Sequence, residues 1–134
     1  IFCYNQKMSI NLKLLPSVYC VAKLSPADDI PVSVSESSEF YSFSKSSDEA
    51  SLLCAQSLIS NNIVADRDWR LFQYKGSIED NIVGVVARIA QPLADSGISV
   101  IVTTTYDSGF FGVKVSDLEQ AIEVMQRNSI IVDI

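Results

Sequence analysis

The sequence predicts an α+β fold built on a βαββαβ unit, and three observations carry that prediction. Residues 69–134 read in order as strand, helix, strand, strand, helix and strand, with the apolar period switching between about two and about 3.6. Both helical segments carry a start signal, and the first also ends on a glycine, Gly97. Residues 40–54 repeat the strand–turn–strand order of residues 99–113 at an offset of 59. The first half therefore reads as a shortened copy of the second, its first helix reduced to a Ser/Pro-rich loop.

Residues 1–7 fit no element. Met8 opens the first patterned segment, so the residues before it read as a leader or an addition. They are too short, and too poor in basic residues, for a secretory signal. Residues 12–24 alternate after Pro16, with Val18, Cys20, Ala22 and Leu24 on one face. Pro16 cannot donate to a ladder and marks a strand start or edge. Residues 25–39 are rich in Ser, Pro and Asp, which predicts a loop with at most one short helical turn. Residues 40–45 and 51–54 are strand-like and joined through Ser47-Asp48-Glu49, whose side chains can bond the local backbone. The polar stretch 56–68, with Asn61-Asn62 inside it, reads as the linker. It separates an abbreviated N-terminal unit, residues 8–66, from a complete one, residues 67–134.

Residues 69–75 form the first strand of the second unit, with Trp69, Leu71 and Gln73 on one face and Arg70, Phe72 and Tyr74 on the other. Ser77 offers an N-cap, with Asp80 three residues on. Ile82, Val86, Ile89 and Leu93 follow at helical spacing and predict a stripe facing a sheet. Pro92 deletes one helix hydrogen bond, which predicts a kink or a loosened last turn. Gly97 ends the helix in the left-handed conformation. Residues 98–106 form a β-branched strand, Asp107-Ser108-Gly109 a hairpin turn, and residues 110–115 the return strand. Ser116-Asp117-Leu118-Glu119 reads as a capping box for a helix whose stripe is Leu118, Ala121 or Ile122, and Met125. Residues 130–134 close the sheet.

Composition narrows the function. With 48% hydrophobic and 19% charged residues, a packed globular chain is expected. The net charge of −6 is shared equally between the two halves, which argues against a nucleic-acid backbone or an anionic membrane as partner. No apolar run approaches the ~20 residues of a membrane span. Neighbouring strands would allow a Cys20–Cys54 bridge. Three cysteines without C-x-x-C spacing read more simply as free thiols in a reducing cytosol.

There is no histidine, so the usual general base and commonest metal ligand are missing. No metalloprotease, nucleophile-elbow, P-loop or dinucleotide motif occurs. The acidic pairs Asp28-Asp29, Asp48-Glu49 and Glu79-Asp80 read as solvated turns rather than catalytic carboxylates. Neither an enzyme, nor a metal, nor a cofactor is expected. Two backbone elements could hold a small zwitterion instead. The helix start at residues 77–84 offers free N–H groups and a positive dipole end, and Gly84 permits close approach. The Gly97-Ile98-Ser99-Val100 corner exposes backbone groups where a strand begins. Taken alone, each also reads as an ordinary cap or turn.

Together these residues resemble the ACT-domain family. The resemblance rests on the βαββαβ order, on Ala90-Gln91-Pro92-Leu93-Ala94, on the Gly97-Ile98-Ser99-Val100 corner and on Thr104-Thr105-Tyr106-Asp107. Leu14-Leu15-Pro16 and Phe43-Ser44-Lys45-Ser46-Ser47-Asp48-Glu49 extend it into the first half. More narrowly, the chain is similar to small bacterial tandem-ACT proteins and to the ACT repeats of the cytosolic arginine sensors. The resemblance implies two ferredoxin-like ACT units with antiparallel sheets, the first abbreviated. It implies a regulatory or sensor protein that binds a small molecule, most simply an amino acid, where two ACT domains meet. Carried onto this chain, the ligand-binding residues would be Glu79, Asn81, Ile82 and Gly84 on one side and Gly97, Ile98, Ser99 and Val100 on the other. Thr104, Thr105 and Asp107 would contribute from the hairpin. Where the arginine sensors carry acids, this chain has Gly109 and Ile82, so arginine is not the expected ligand. The resemblance further implies a cytoplasmic homodimer. The alternative is an assembly module that binds a protein or a second copy and no metabolite.

Overall fold

The computed structural model describes residues 10–75 and 82–134. Their elements run β1 (Ile10–Leu24), α1 (Val32–Ser35), β2 (Ser42–Lys45), β3 (Ala50–Ala55), β4 (Ala65–Lys75), α2 (Ile82–Asp95), β5 (Ile101–Thr104), β6 (Ser108–Lys114), α3 (Leu118–Arg127) and β7 (Ile130–Asp133). The fold is α+β, as expected. The described residues divide into two compact units, one of residues 10–15 and 71–134, the other of residues 16–70. The divisions fall inside β1, at Pro16, and inside β4, after Arg70.

The first unit holds the βαββαβ succession β4, α2, β5, β6, α3, β7. Strand β6 lies between β5 and β4, and Ile101 faces Gly112 across an antiparallel β5–β6 pair. Strand β7 pairs in parallel with the start of β1, Ile10 opposite Ile130. The chain's first described residues thus complete the sheet of its C-terminal half. One apolar cluster holds the unit together. Ile10, Leu12, Leu14, Phe72, Tyr74, Phe111 and Val113 supply the sheet side, and Val85, Ile89, Leu93, Ala121, Val124 and Met125 the helix side. On α2 the buried stripe is Val85, Ile89 and Leu93, with Val86 partly buried beside it. The side chain of Ile82 and the Ser77 cap lie outside what is described.

Two sequence expectations are corrected in this unit. The hairpin turn sits earlier than Asp107-Ser108-Gly109. The Thr105 N–H donates to the Ser108 carbonyl at 2.8 Å, leaving Tyr106 and Asp107 as the loop and putting Gly109 in β6 opposite Thr104. The Thr105 hydroxyl fixes that position by accepting from the Ser108 N–H at 3.1 Å. Helix α3, for its part, has no side-chain cap at Asp117. A 3-10 turn at Val115–Asp117 precedes it instead, and the Leu118 N–H donates to the Val115 carbonyl.

In the second unit β3 lies between β2 and β1, with Cys20 directly opposite Cys54. Its core is Cys20, Ala22, Val34, Leu52 and Cys54, surrounded by partly buried Leu24, Ile30, Tyr41, Phe43, Leu58, Ile59, Ile63 and Ala65. The Ser/Pro-rich segment does contain one short helical turn, α1, held by Val34 in the core and by the Ser33 hydroxyl donating to the Leu58 carbonyl at 2.8 Å. The expected linker is packed structure. Ile59 and Ile63 join the core. The Gln56 amide brackets Asp68, donating to its carboxylate at 3.0 Å and accepting from its N–H at 2.7 Å. Strand β1 also runs through Pro16, where the sequence placed a start or an edge.

The hairpin repeat is reproduced residue for residue. Ser42, Phe43, Ser44 and Lys45 pair with Leu53, Leu52, Ser51 and Ala50. At the offset of 59, Ile101, Val102, Thr103 and Thr104 pair with Gly112, Phe111, Phe110 and Gly109. The turns match too: Ser46 donates to the Glu49 carbonyl as Thr105 does to that of Ser108, both at 2.8 Å.

Candidate functional site

The glycine corner forms because α2 runs out of donors and acceptors there. Gly97 takes φ +76°. Its N–H donates to the Ala94 carbonyl at 3.0 Å, and the Ile98 N–H to that of Leu93 at 2.9 Å. This is the paired closure of a helix end around a left-handed residue, with Ile98 buried as its apolar lock. Pro92 lies inside α2, which still continues to Asp95. Ser99 is exposed and Val100 half-buried, so the chain between α2 and β5 presents a polar surface over an apolar anchor.

An added Cβ at Gly97 would meet nothing within 4 Å. The positive φ alone therefore penalises substitution. Gly97→Val should destabilise the folded protein by roughly 1–2 kcal/mol, or somewhat more for its β-branch. Chemical denaturation would show this, and an unchanged midpoint would mean that the corner relaxes.

The remaining expected site residues fall in two further places. Gly84 is half-buried in the first turn of α2, and Ile82 starts that helix. Glu79 and Asn81 lie outside the described residues. Thr104, Thr105 and Asp107 are exposed at the β5–β6 hairpin, and the Thr105 hydroxyl is engaged within the turn. Gly84 and Gly97 stand at opposite ends of α2, about 20 Å apart at the helical rise. A single copy of this domain cannot bring both ends to one small ligand.

Each unit also has a cavity of its own that includes none of these residues. In the second unit a space of about 560 Å³ opens between Ser17 and Val18, Gln56 and Ser57, Ile59, Asn61 and Arg67. Arg67 is held there by donating to the carbonyls of Ser60 at 3.2 Å and Ile63 at 2.9 Å. The Glu39 carboxylate accepts from the Ser17 hydroxyl at 2.9 Å and the Tyr19 phenol at 3.1 Å. Burial and then the Glu39 charge push the Tyr19 hydroxyl well above its ordinary range, so it stays a donor. In the first unit a space of about 390 Å³ is lined by Asn11, Leu12, Lys13, Gln73, Tyr74, Lys75 and Asp133. Sequence reasoning missed both. The available signal was Arg67, the first cation after Lys45 in a stretch read as linker.

Comparison with known proteins fits this division. Residues 64–127 match the family described as ACT domain. Residues 17–62 match a second family, described as an N-terminal domain. A solved protein from Agrobacterium tumefaciens is 27% identical, covering 93% of this chain and 92% of that one, with a TM-score of 0.84. A protein from Vibrio cholerae described as a possible transport protein is 14% identical over 90% of each chain, with a TM-score of 0.69. The ligand-free regulatory subunit of aspartate kinase from Thermus thermophilus is 10% identical, covering 87% of this chain and 96% of that one, with a TM-score of 0.57. The last two share the fold. No curated protein matches the chain.

The chain thus contains an ACT-domain region, and ACT domains are regulatory modules rather than catalytic ones. Among the described residues, no group of three or more His, Cys, Asp or Glu could hold a metal, and no helix is long and apolar enough to cross a membrane.

Proposed function

We propose that this chain is a regulatory protein that senses a small molecule, most simply an amino acid, at a contact between two ACT domains. The ACT-domain match over residues 64–127 carries the reading. The second ACT-like unit is proposed over residues 8–66, abbreviated in its helices, beside a complete one over residues 67–134. The identical register of the two hairpins supports that tandem reading.

In this proposal the ligand carboxylate meets N–H groups at residues 81–84, where the free donors of a helix start favour an anion. Glu79 flanks that loop. The ammonium meets carbonyls near Ser99 and Val100 of a neighbouring domain, with Thr104, Thr105 and Asp107 at the rim. The separation along α2 supports a shared site, since the two halves can meet only across domains. Binding would act by bracing two domains in one orientation. A cytoplasmic homodimer is the simplest assembly that supplies the neighbour. None of the matched families or structures named above is an arginine sensor, and the glycine at position 109 still argues for a different ligand.

A thermal-shift screen of the twenty amino acids tests the reading. A ligand at about 100 times its Kd adds roughly 2.7 kcal/mol, which for a chain of this size raises Tm by roughly 10 °C. Ser99→Ala should leave the unliganded Tm unchanged, because Ser99 is exposed, and should weaken the response to the ligand found. Equal affinity in Ser99→Ala and the parent would remove the corner from the site. A flat screen would favour an assembly module. One observation already supports that second reading: the sheet ends at β5, whose Val102 is 41% exposed beside a hairpin tip bearing Tyr106 at 69%.

A further inference from the structure

Cys20 and Cys54 are directly opposite each other in the antiparallel β1–β3 pair. Both are free thiols with no exposed surface. Opposed residues of such a pair hold their Cα atoms about 4.5–5.5 Å apart, inside the ~4.4–6.8 Å that a disulfide spans. Their Cβ atoms, about 4.5–5.5 Å apart in such a pair, must close to the ~3.5–4.5 Å of a disulfide, so joining them needs side-chain rotation and a small local approach of the two strands. Their surroundings are otherwise apolar, with Ala22, Val34 and Leu52 in the same cluster.

We propose that Cys20 and Cys54 are an oxidation site, at which a peroxide closes a reversible cross-strand disulfide between β1 and β3. The two sulfurs take different parts. The neighbouring Cys54 thiol lowers the Cys20 thiol, and the Arg67 charge adds to that effect against the burial that opposes it. The same contact with Cys20, together with burial, pushes Cys54 up and keeps its proton in place. The Arg67 charge favours a thiolate at Cys20, so Cys20 is written as the attacking sulfur. It takes one oxygen from hydrogen peroxide, breaking the O–O bond and giving a sulfenic acid and hydroxide, which takes up a proton. Cys54 then loses its proton and attacks that sulfur, and the S–O bond breaks with release of water. Overall two thiols and one peroxide give one disulfide and two waters, a two-electron oxidation of the sulfur pair. Burial selects for so small an oxidant, because a protein disulfide or a bulky thiol cannot reach either sulfur. The closed bond would tie β3, and β2 through its ladder, covalently to β1.

This site is independent of any ligand, so its test stands apart from the amino-acid screen. The full chain carrying Cys3→Ser is treated with hydrogen peroxide while folded, then unfolded in an alkylating agent and weighed. The expected product is lighter by two hydrogens, has no alkylated cysteine, yields a Cys20–Cys54 linked peptide, and has a raised Tm that is lost when the chain is unfolded in dithiothreitol and refolded without peroxide. With Cys54→Ser added, the same treatment should instead add oxygen at Cys20. Three results would overturn the proposal: two alkylatable thiols after prolonged treatment, oxygen added separately to each cysteine of the parent, or a bridge that forms only when the chain is refolded in peroxide.

Discussion

Replacing Phe72 with alanine should lower the stability of the folded protein by about 3–5 kcal/mol. Phe72 has no exposed surface and sits on β4 within the cluster that joins the sheet of the first unit to α2 and α3. Its ring is among the largest fully buried groups, with Phe111, Leu12, Ile89, Leu93 and Met125 as other members of that cluster. Truncation removes the transfer free energy of the ring and leaves a void that β-sheet neighbours can collapse into only partly. For a chain of this length the loss corresponds to a fall in Tm of roughly 10–18 °C. Urea titration with a preserved slope and a lower midpoint would register it as lost stability. A loss below about 1 kcal/mol would mean that the cluster is not the stabilising core assigned to it.

Gly112→Val should destabilise by about 1–3 kcal/mol, and the cause is space rather than backbone angle. A Cβ at this position would lie 2.7 Å from Ile101 Cγ1 and 2.9 Å from Leu71 Cδ2. Gly112 is fully within β6, opposite Ile101 in the β5–β6 pair, so both strands must give way. Alanine already demands movement, and valine adds two methyl groups to the crowding. Because the clash is pairwise, Ile101→Ala in the same chain should recover part of the loss, a coupling readable in a double-mutant cycle. Additive losses in the double variant would show that Ile101 is not what excludes the side chain.

Features set by neighbours in sequence were the ones legible without coordinates. Gly97 was readable as a helix terminator because the left-handed requirement is local to one residue and the carbonyls that accept from Gly97 and Ile98 lie three and five positions before them. The apolar stripe of α2 was readable from spacing, although Val85 is buried where the spacing placed Val86, which is only partly buried. The two hairpins were readable from turn chemistry and from their repeat. Their turns were harder to place: with the Thr105 hydroxyl bonded to Ser108, the second starts one residue earlier than expected, at Tyr106. The capping box did not form: a 3-10 turn at Val115–Asp117 leads into the helix, and the Leu118 N–H finds the Val115 carbonyl. The site was partly legible in the same sense. The corner at Gly97, Ile98, Ser99 and Val100 closes on bonds a few residues long, whereas the proposed second half stands about 20 Å away along α2 and the proposal needs another domain to supply it.

The α+β class, the order of strands and helices in residues 69–134, the hairpin repeat and the glycine corner follow from the amino acids alone, because each depends on periodicity or on bonds a few residues long. Long-range packing set the rest: residues 10–15 pair with β7, Cys20 faces Cys54, Arg67 lines a cavity, and Gly112 must be small. Those four rest on contacts between residues from eleven to more than a hundred positions apart. The partner of a strand edge is chosen by register and packing among many compatible apolar faces, and no local pattern carries that choice.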